Sequence, residues 1–305
     1  MLKFMLRFFL CLSLMFTLFY SCKNSSATTL DAETTALETE FQKTKSETSY
    51  DKLITKYLEL IQKNKSDNSL TEDLIKRAAS ASETAGKTSQ QVIFLNNLVK
   101  DFPNRADTKE SIVQMVGLLN KLNKKGASDV MALAYAKAYP TDSKTEELKK
   151  NVSVATSPEN YILEIGKAIF ADTIKGFSET SAHDYVDACE AYALVLPKDP
   201  EAPEYINKAA EISNALKTYE KSFALYDWLN TSYSNHKRGQ MALFMKAFLF
   251  DESLKDTENA KKYYGEFIQK YPNHEFAKQA QLLMDNLGKS QEEVLKNLQE
   301  KSKAN

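Results

Sequence analysis

The chain is short of the residues that bend and end a backbone. In 305 residues there are 8 glycines and 7 prolines, well below average usage. That scarcity argues against a sandwich or barrel, which needs a turn every few residues. The 3 cysteines are scattered and offer no disulfide framework. Neither sign of charge dominates: 40 Lys and Arg face 41 Asp and Glu. A nucleic-acid footprint needs a basic excess, so no nucleic-acid partner is expected. What is plentiful is Lys, Glu, Ala and Leu, which favours helix.

The first residues do not read as fold. "MLKFMLRFFLCLSLMFTLFYSC" has a basic start at Lys3 and Arg7, then an apolar run of 13 residues from Phe8 to Tyr20. That run suits a signal segment and is short for a membrane span. A polar, Thr- and Ser-rich stretch follows and reads as a tether. The Leu18-Phe19-Tyr20-Ser21-Cys22 ending resembles a bacterial lipoprotein cleavage site, with Phe19 where Leu is usual. The resemblance implies removal of residues 1–21 and acylation of Cys22. An ordinary secretory signal and an uncleaved anchor are the alternatives. Cleavage would remove Lys3 and Arg7 and no acid, leaving a net charge of −3. Charge would not draw such a domain to an anionic membrane, so lipid would have to hold it. Cys11 lies in the signal, which leaves Cys189, at helical spacing with Val186 and Ala193, as a small core residue.

In the rest of the chain one event recurs. A helical pattern stops at an aromatic-Pro step or a relative of it, and another begins at once. The steps are Phe102-Pro103, Tyr139-Pro140, Leu196-Pro197, Tyr233-Ser234 and Tyr271-Pro272, with Ser66 in a similar context earlier. The intervals are 37, 37, 57, 37 and 38 residues. The long one contains "TEELKKNVSVATSPENYILEIG", which reads as about 20 inserted residues. Proline ends a helix because it bars the preceding residue from the α region and cannot continue the ladder. A period of 34 to 40 residues with two helices per unit marks a helical solenoid.

Two columns support that register. Eight residues before each marker stand Leu58, Leu95, Ala132, Cys189, Tyr226 and Tyr264. Five before stand Ile61, Leu98, Tyr135, Tyr192, Leu229 and Phe267. The columns are three apart and so share one helix face, which stacking on neighbouring units would bury.

The last unit resembles the tetratricopeptide repeat. Counting back from Pro272 puts Ala260 on the small-residue position, Tyr264 on the aromatic position and Phe267 on the following core position. Tyr271 precedes the closing Pro272, and Phe244, Ala247 and Phe248 belong to the first helix. In the other units the small-residue position holds Ile54, Gln91, Ser128, Tyr185 and Ser222. The expected fold is all-α: a right-handed superhelical solenoid of about six antiparallel helix pairs with C-terminal capping helices.

The expected layout is a signal at 1–21, a tether at 22–30, the solenoid at 31–288 with an irregular insertion near 141–157, and a tail at 289–305. Helix pairs are expected near 28–65, 69–102, 105–139, 158–196, 200–233 and 237–271, with a closing helix near 274–287. Ser157-Pro158 and Asp199-Pro200 read as helix starts. Ser69, Ser143 and Ser290 open capping boxes. Gly86, Gly126, Gly176 and Gly288 read as helix stops.

Little in the sequence reads as chemistry. His183, His236 and His274 stand in separate units beside polar residues, so they read as surface residues near helix starts rather than metal ligands. "ETAGKTSQQ" lacks the first glycine of a phosphate loop. Carboxylates alternate with lysines, as in "TEELKK", and read as solvated faces. No cofactor, metal or catalytic residue is expected. Trp228 is one position off the core column at Leu229. It and Tyr219 could face a groove, although half-buried packing is the simpler reading.

The layout as a whole resembles the tetratricopeptide lipoproteins that assist outer-membrane barrel assembly, and more loosely the periplasmic repeat proteins that work beside the Tol-Pal system. The resemblance implies a non-catalytic, lipid-anchored scaffold that holds protein or peptide segments in a concave groove. Lys23 follows Cys22, where an Asp retains some lipoproteins at the inner membrane, so the outer membrane is favoured. A nutrient- or glycan-capture lipoprotein is the alternative. Oligomeric state is left open.

Overall fold

A computed structural model describes residues 30–152, 156–171, 176–289 and 292–293. The signal, Cys22, most of the tether, residues 153–155 of the insertion, the capping box at Ser290 and most of the tail lie outside these residues. Among the described residues there are fourteen α-helices and no strand. None of these helices is long and apolar enough to cross a membrane. The chain divides into two compact units, 1–74 and 75–305.

In the first unit α1 (Ala32–Thr44) and α2 (Glu47–Lys63) form a hairpin. Asp31 caps α1 by accepting from Thr34 N at 2.7 Å, and Ser46 caps α2 by accepting from Ser49 N at 3.2 Å. Phe41, Tyr50, Leu53 and Tyr57 are buried, and the Tyr57 hydroxyl donates to Glu38 at 2.6 Å. This corrects the sequence register by one residue. Leu58 is 49% exposed, whereas Tyr57 is 2% exposed. No aromatic-Pro step marks the cap here: α2 ends at Asn64, whose N–H bonds the Leu60 carbonyl at 3.0 Å, two residues before the supposed marker Ser66. Counted back from that cap, Tyr57 and Leu53 fall into the columns assigned to Leu58 and Ile54.

α3 (Asn68–Thr84) follows, and the second unit continues with α4 (Thr88–Asp101), α5 (Thr108–Lys121), α6 (Lys125–Ala138), α7 (Thr145–Lys150), α8 (Pro158–Ala168) and α9 (Glu179–Val195). It closes with α10 (Ala202–Ala215), α11 (Tyr219–Ser232), α12 (Lys237–Glu252), α13 (Thr257–Lys270) and α14 (Ala277–Asp285). From α9 to α14 each helix packs on the next, as α4, α5 and α6 do. The described residues are all-α, and the second unit is a solenoid of tetratricopeptide-like pairs.

The joints between pairs repeat in atomic detail. Phe102, Tyr139, Leu196, Tyr233 and Tyr271 are the C-caps of α4, α6, α9, α11 and α13, with φ between −131° and −118° and ψ between 34° and 61°. Each gives its N–H to the carbonyl four residues back, and each accepts from the N–H three residues ahead. Tyr233 makes the joint with Ser234 following and no proline. The proline thus reinforces a turn that the backbone hydrogen bonds already define.

The turns inside the pairs use a different device. Lys45, Gly86, Asn123, Lys217 and Lys255 stand in the left-handed region, with φ between 46° and 66°. Only one of them is glycine. Gly126, expected as a stop, lies inside α6, because Asn123 makes that turn. Gly176 also has a positive φ but sits in the α8–α9 connection.

Three expected helix starts move. Asp67 rather than Ser69 caps α3, accepting from Leu70 N at 3.0 Å. α10 starts at Ala202 rather than at Pro200, and Asp199 accepts from Glu201 N at 3.0 Å. At α7 the Ser143 box gives way to Asp142, which accepts from Lys144 N at 3.0 Å.

Buried serines occupy the small-residue position of two pairs. Ser128 donates to the Val116 carbonyl at 3.0 Å and Ser222 to the Ala210 carbonyl at 2.9 Å. Each bond ties a second helix to its first and satisfies a hydroxyl that would be costly to bury alone. In the last pair Ala260 fills that place beside Ala247, under a ring cluster of Phe244, Tyr264 and Phe267.

The long interval is where the stack departs from its rule. Instead of a full first helix, the chain makes the short helices α7 and α8, and α6 packs directly on α9. Small residues allow that approach: Ala127, Ala134, Ala182, Ala188, Cys189 and Ala193 are all buried. Burial raises the Cys189 thiol pKa far above its usual value, consistent with a packing role.

A groove walled by α4 and α11

The direct α6–α9 contact brings together helices that a regular unit would separate. α4 reaches α9, and a cavity of about 360 Å³ opens between α4 and α11. One wall is a full stripe of α4: Ser89, Val92, Ile93, Asn96, Asn97 and Lys100. Those spacings are one face of a helix, about 16 Å long at 1.5 Å per residue. The other wall is Lys221, Ala224, Leu225 and Trp228 of α11, again one face. Met131 and Ala191 contribute from α6 and α9.

The groove is apolar with a polar edge. Ile93 is 56% exposed and stands in the lining beside Val92. Trp228 is more deeply buried than the half-buried packing expected of it, and it borders the cavity as well. Tyr219 is half-buried and does not line the groove. Asn96 and Asn97 make no side-chain hydrogen bond among the described residues, so both amides are free to donate and accept.

Two ion pairs lie in the lining of the groove. Lys124 meets Asp187 at 2.6 Å and Lys221 meets Glu190 at 2.5 Å. Burial pushes the Glu190 carboxyl pKa up, opposed by the Lys221 charge and hydrogen bond. These pairs fix α9 against the α5–α6 turn and α11.

The residues of the repeat signature lie elsewhere. Ala260, Tyr264 and Phe267 are fully buried between α12, α13 and α14. Tyr271 is the joint and Pro272 is exposed. They build the scaffold and do not line the groove.

The histidines are separate. His183 is exposed. The Nδ1 atoms of His236 and His274 each accept from a backbone N–H two residues ahead at 3.2 Å, the same service in two successive joints. Among the described residues no group of three or more His, Cys, Asp or Glu could hold a metal ion.

The α4 stripe was missed in the sequence. Its signal is the pair Val92-Ile93, apolar but off the core column that runs through Gln91, Leu95 and Leu98. An apolar pair on the second face of an amphipathic helix marks a surface with a further use.

Comparison with known sequences gives one match. A model of the tetratricopeptide repeat family covers residues 241–274, which are most of α12, all of α13 and the Tyr271–His274 joint. No curated protein matches the chain. The matched unit is the one whose Ala260, Tyr264 and Phe267 are most completely buried, and the other pairs share its joint. The chain therefore carries a tetratricopeptide repeat at its C-terminal end, within a stack of helix pairs built on the same plan.

Proposed function

We propose that this protein is a lipid-anchored, non-catalytic scaffold of the bacterial envelope, held through Cys22 at the outer membrane. It takes a polypeptide segment of a partner protein in the α4–α11 groove. The observation that carries the reading is the pairing of two helix stripes, Ser89 to Lys100 and Lys221 to Trp228, around one cavity. An apolar side chain of the segment would enter beside Trp228, and its backbone would pair with Asn96 and Asn97. Burying one such side chain contributes about 2 kcal/mol, roughly thirtyfold in affinity, so several contacts along the stripe would act together. Tetratricopeptide repeats generally bind protein or peptide partners, and the resemblance of the whole layout to barrel-assembly and Tol-Pal-associated repeat proteins suggests an envelope partner.

A photo-crosslinking residue at Ile93 tests this in cells. The expected result is a discrete adduct, identified by mass spectrometry, that is absent with the crosslinker at exposed Lys278. It should also be lost when Ala224→Arg blocks the groove. Equal adducts at both positions, or an adduct indifferent to Ala224→Arg, would remove the groove from the proposal. Trp228 is the single tryptophan, so its emission reports occupancy by the identified segment directly.

A further inference from the structure

A second face of the molecule carries a cavity, an apolar projection and two unpaired charges side by side. α8, α9 and α10 enclose a space of about 430 Å³ with Ile162, Tyr185, Tyr205 and Ile212 in its lining. On its lip Leu163 is 55% exposed and Phe170 is 66% exposed. Large apolar side chains this exposed, next to an apolar hollow, mark an interaction surface.

The charges around the cavity narrow the partner. Lys167 pairs with Glu164 at 2.7 Å. Glu159 is held by Lys137 at 2.6 Å. Two charges on α10 remain, Lys208 and Glu211, both exposed and neither in an ion pair among the described residues. Glu211 accepts from the Asn207 side chain at 2.7 Å, and Lys208 lies over the Tyr205 ring at 5.3 Å. Three positions apart, they share a helix face.

We propose that this face is the interface of a two-fold dimer of the chain. Phe170 of each copy enters the α8–α9–α10 cavity of the other. Lys208 of each copy stands opposite Glu211 of the other. A two-fold contact is reciprocal, so one patch must carry both halves of every interaction. This patch does: projection and hollow, cation and anion. An anionic amphiphile would answer Lys208 but meet Glu211 beside it, and would leave Phe170 exposed. A second copy answers all four. Apolar packing supplies the affinity, because exposed ion pairs contribute little, and the charges set register and partner choice. Ile93 and Trp228 are not on this face, so the inference stands independently of the groove.

The test is the mass of the full chain in detergent, read by light scattering with the micelle subtracted. Wild type should show two copies. Phe170→Asp should show one copy with an unchanged melting profile, weakening association at least roughly tenfold. Lys208→Glu and Glu211→Lys should each weaken association, because each puts like charges opposite each other across the axis. Mixing these two variants should restore a dimer, because each then faces its complement. A single-copy wild type at the highest concentration reached overturns the proposal. So does a Phe170→Asp dimer, or a mixture that associates no better than either variant alone.

Discussion

Lys137 and Asp199 are joined by a 2.8 Å hydrogen bond across 62 positions of sequence. The same ammonium donates to Glu159 at 2.6 Å and to the Tyr192 hydroxyl at 3.2 Å. One side chain of α6 thus fastens α8, α9 and the turn before α10. Lys137→Met should lower stability by about 1 kcal/mol, the scale of a part-exposed charge network. Burial alone would raise the Glu159 and Asp199 carboxyls. Hydrogen bonds from Lys137, and from the Glu201 backbone N–H to Asp199, outweigh it and hold both below the usual range. A depressed carboxyl stabilises the fold above its ordinary pKa and loses that contribution as pH falls through the depressed one. The wild-type melting temperature should therefore drop as pH falls below about 4. Lys137→Met should show a smaller drop, measured by circular dichroism across the acid range.

Gly239 fixes how closely α12 crosses the end of α11. A Cβ there would lie 1.9 Å from the Tyr233 carbonyl oxygen and 2.8 Å from that of Leu229. Backbone cannot swing aside as a side chain can, so Gly239→Ala should cost about 3 kcal/mol or more. Gly117→Ala is the control, since its Cβ meets nothing within 4 Å. In an exposed helix interior that change should add up to about 1 kcal/mol. Urea midpoints of the two variants should move in opposite directions.

Lys217 holds a φ of 59° in the turn between α10 and α11. A left-handed conformation costs an L-residue about 1–2 kcal/mol, part of which glycine gives back in entropy. Lys217→Gly should raise stability by about 0.5–1 kcal/mol. A lower urea midpoint would show that the lysine side chain contributes more than its backbone costs.

Pro272→Ala should change stability by less than about 1 kcal/mol. The Tyr233 joint has closely similar dihedrals and hydrogen bonds with serine in the following position. Loss of a cooperative melt would contradict this reading of the joint.

Cys22→Ser tests the anchor. The altered chain is expected in the soluble periplasmic fraction and the wild type in the membrane fraction. A membrane-bound Cys22→Ser chain would point instead to an uncleaved N-terminal segment.

The solenoid was legible because its signals are local. Aromatic-Pro steps mark chain reversals, and the buried columns at Leu95 and Leu98, Cys189 and Tyr192, and Tyr264 and Phe267 follow helical spacing. The register failed at Ser66, where no proline marks the cap and backbone hydrogen bonding placed it at Asn64 instead. Gly126 and the Ser69 box were overridden by neighbours that make the turn or cap first. The groove was illegible for a different reason. It depends on α6 meeting α9, a contact between residues far apart in sequence, made possible by alanines that carry no pattern of their own.

That same contact has a consequence for what the stack can accommodate. Its closing span is 57 residues where the other joints use 37 or 38. The chain entropy of closing a span grows only with the logarithm of its length, so the longer span costs about 0.4 kcal/mol more. For that small penalty the chain gains α7, α8 and the exposed Phe170. A linear array can acquire a new surface at such a boundary while the units on either side keep the geometry they already had.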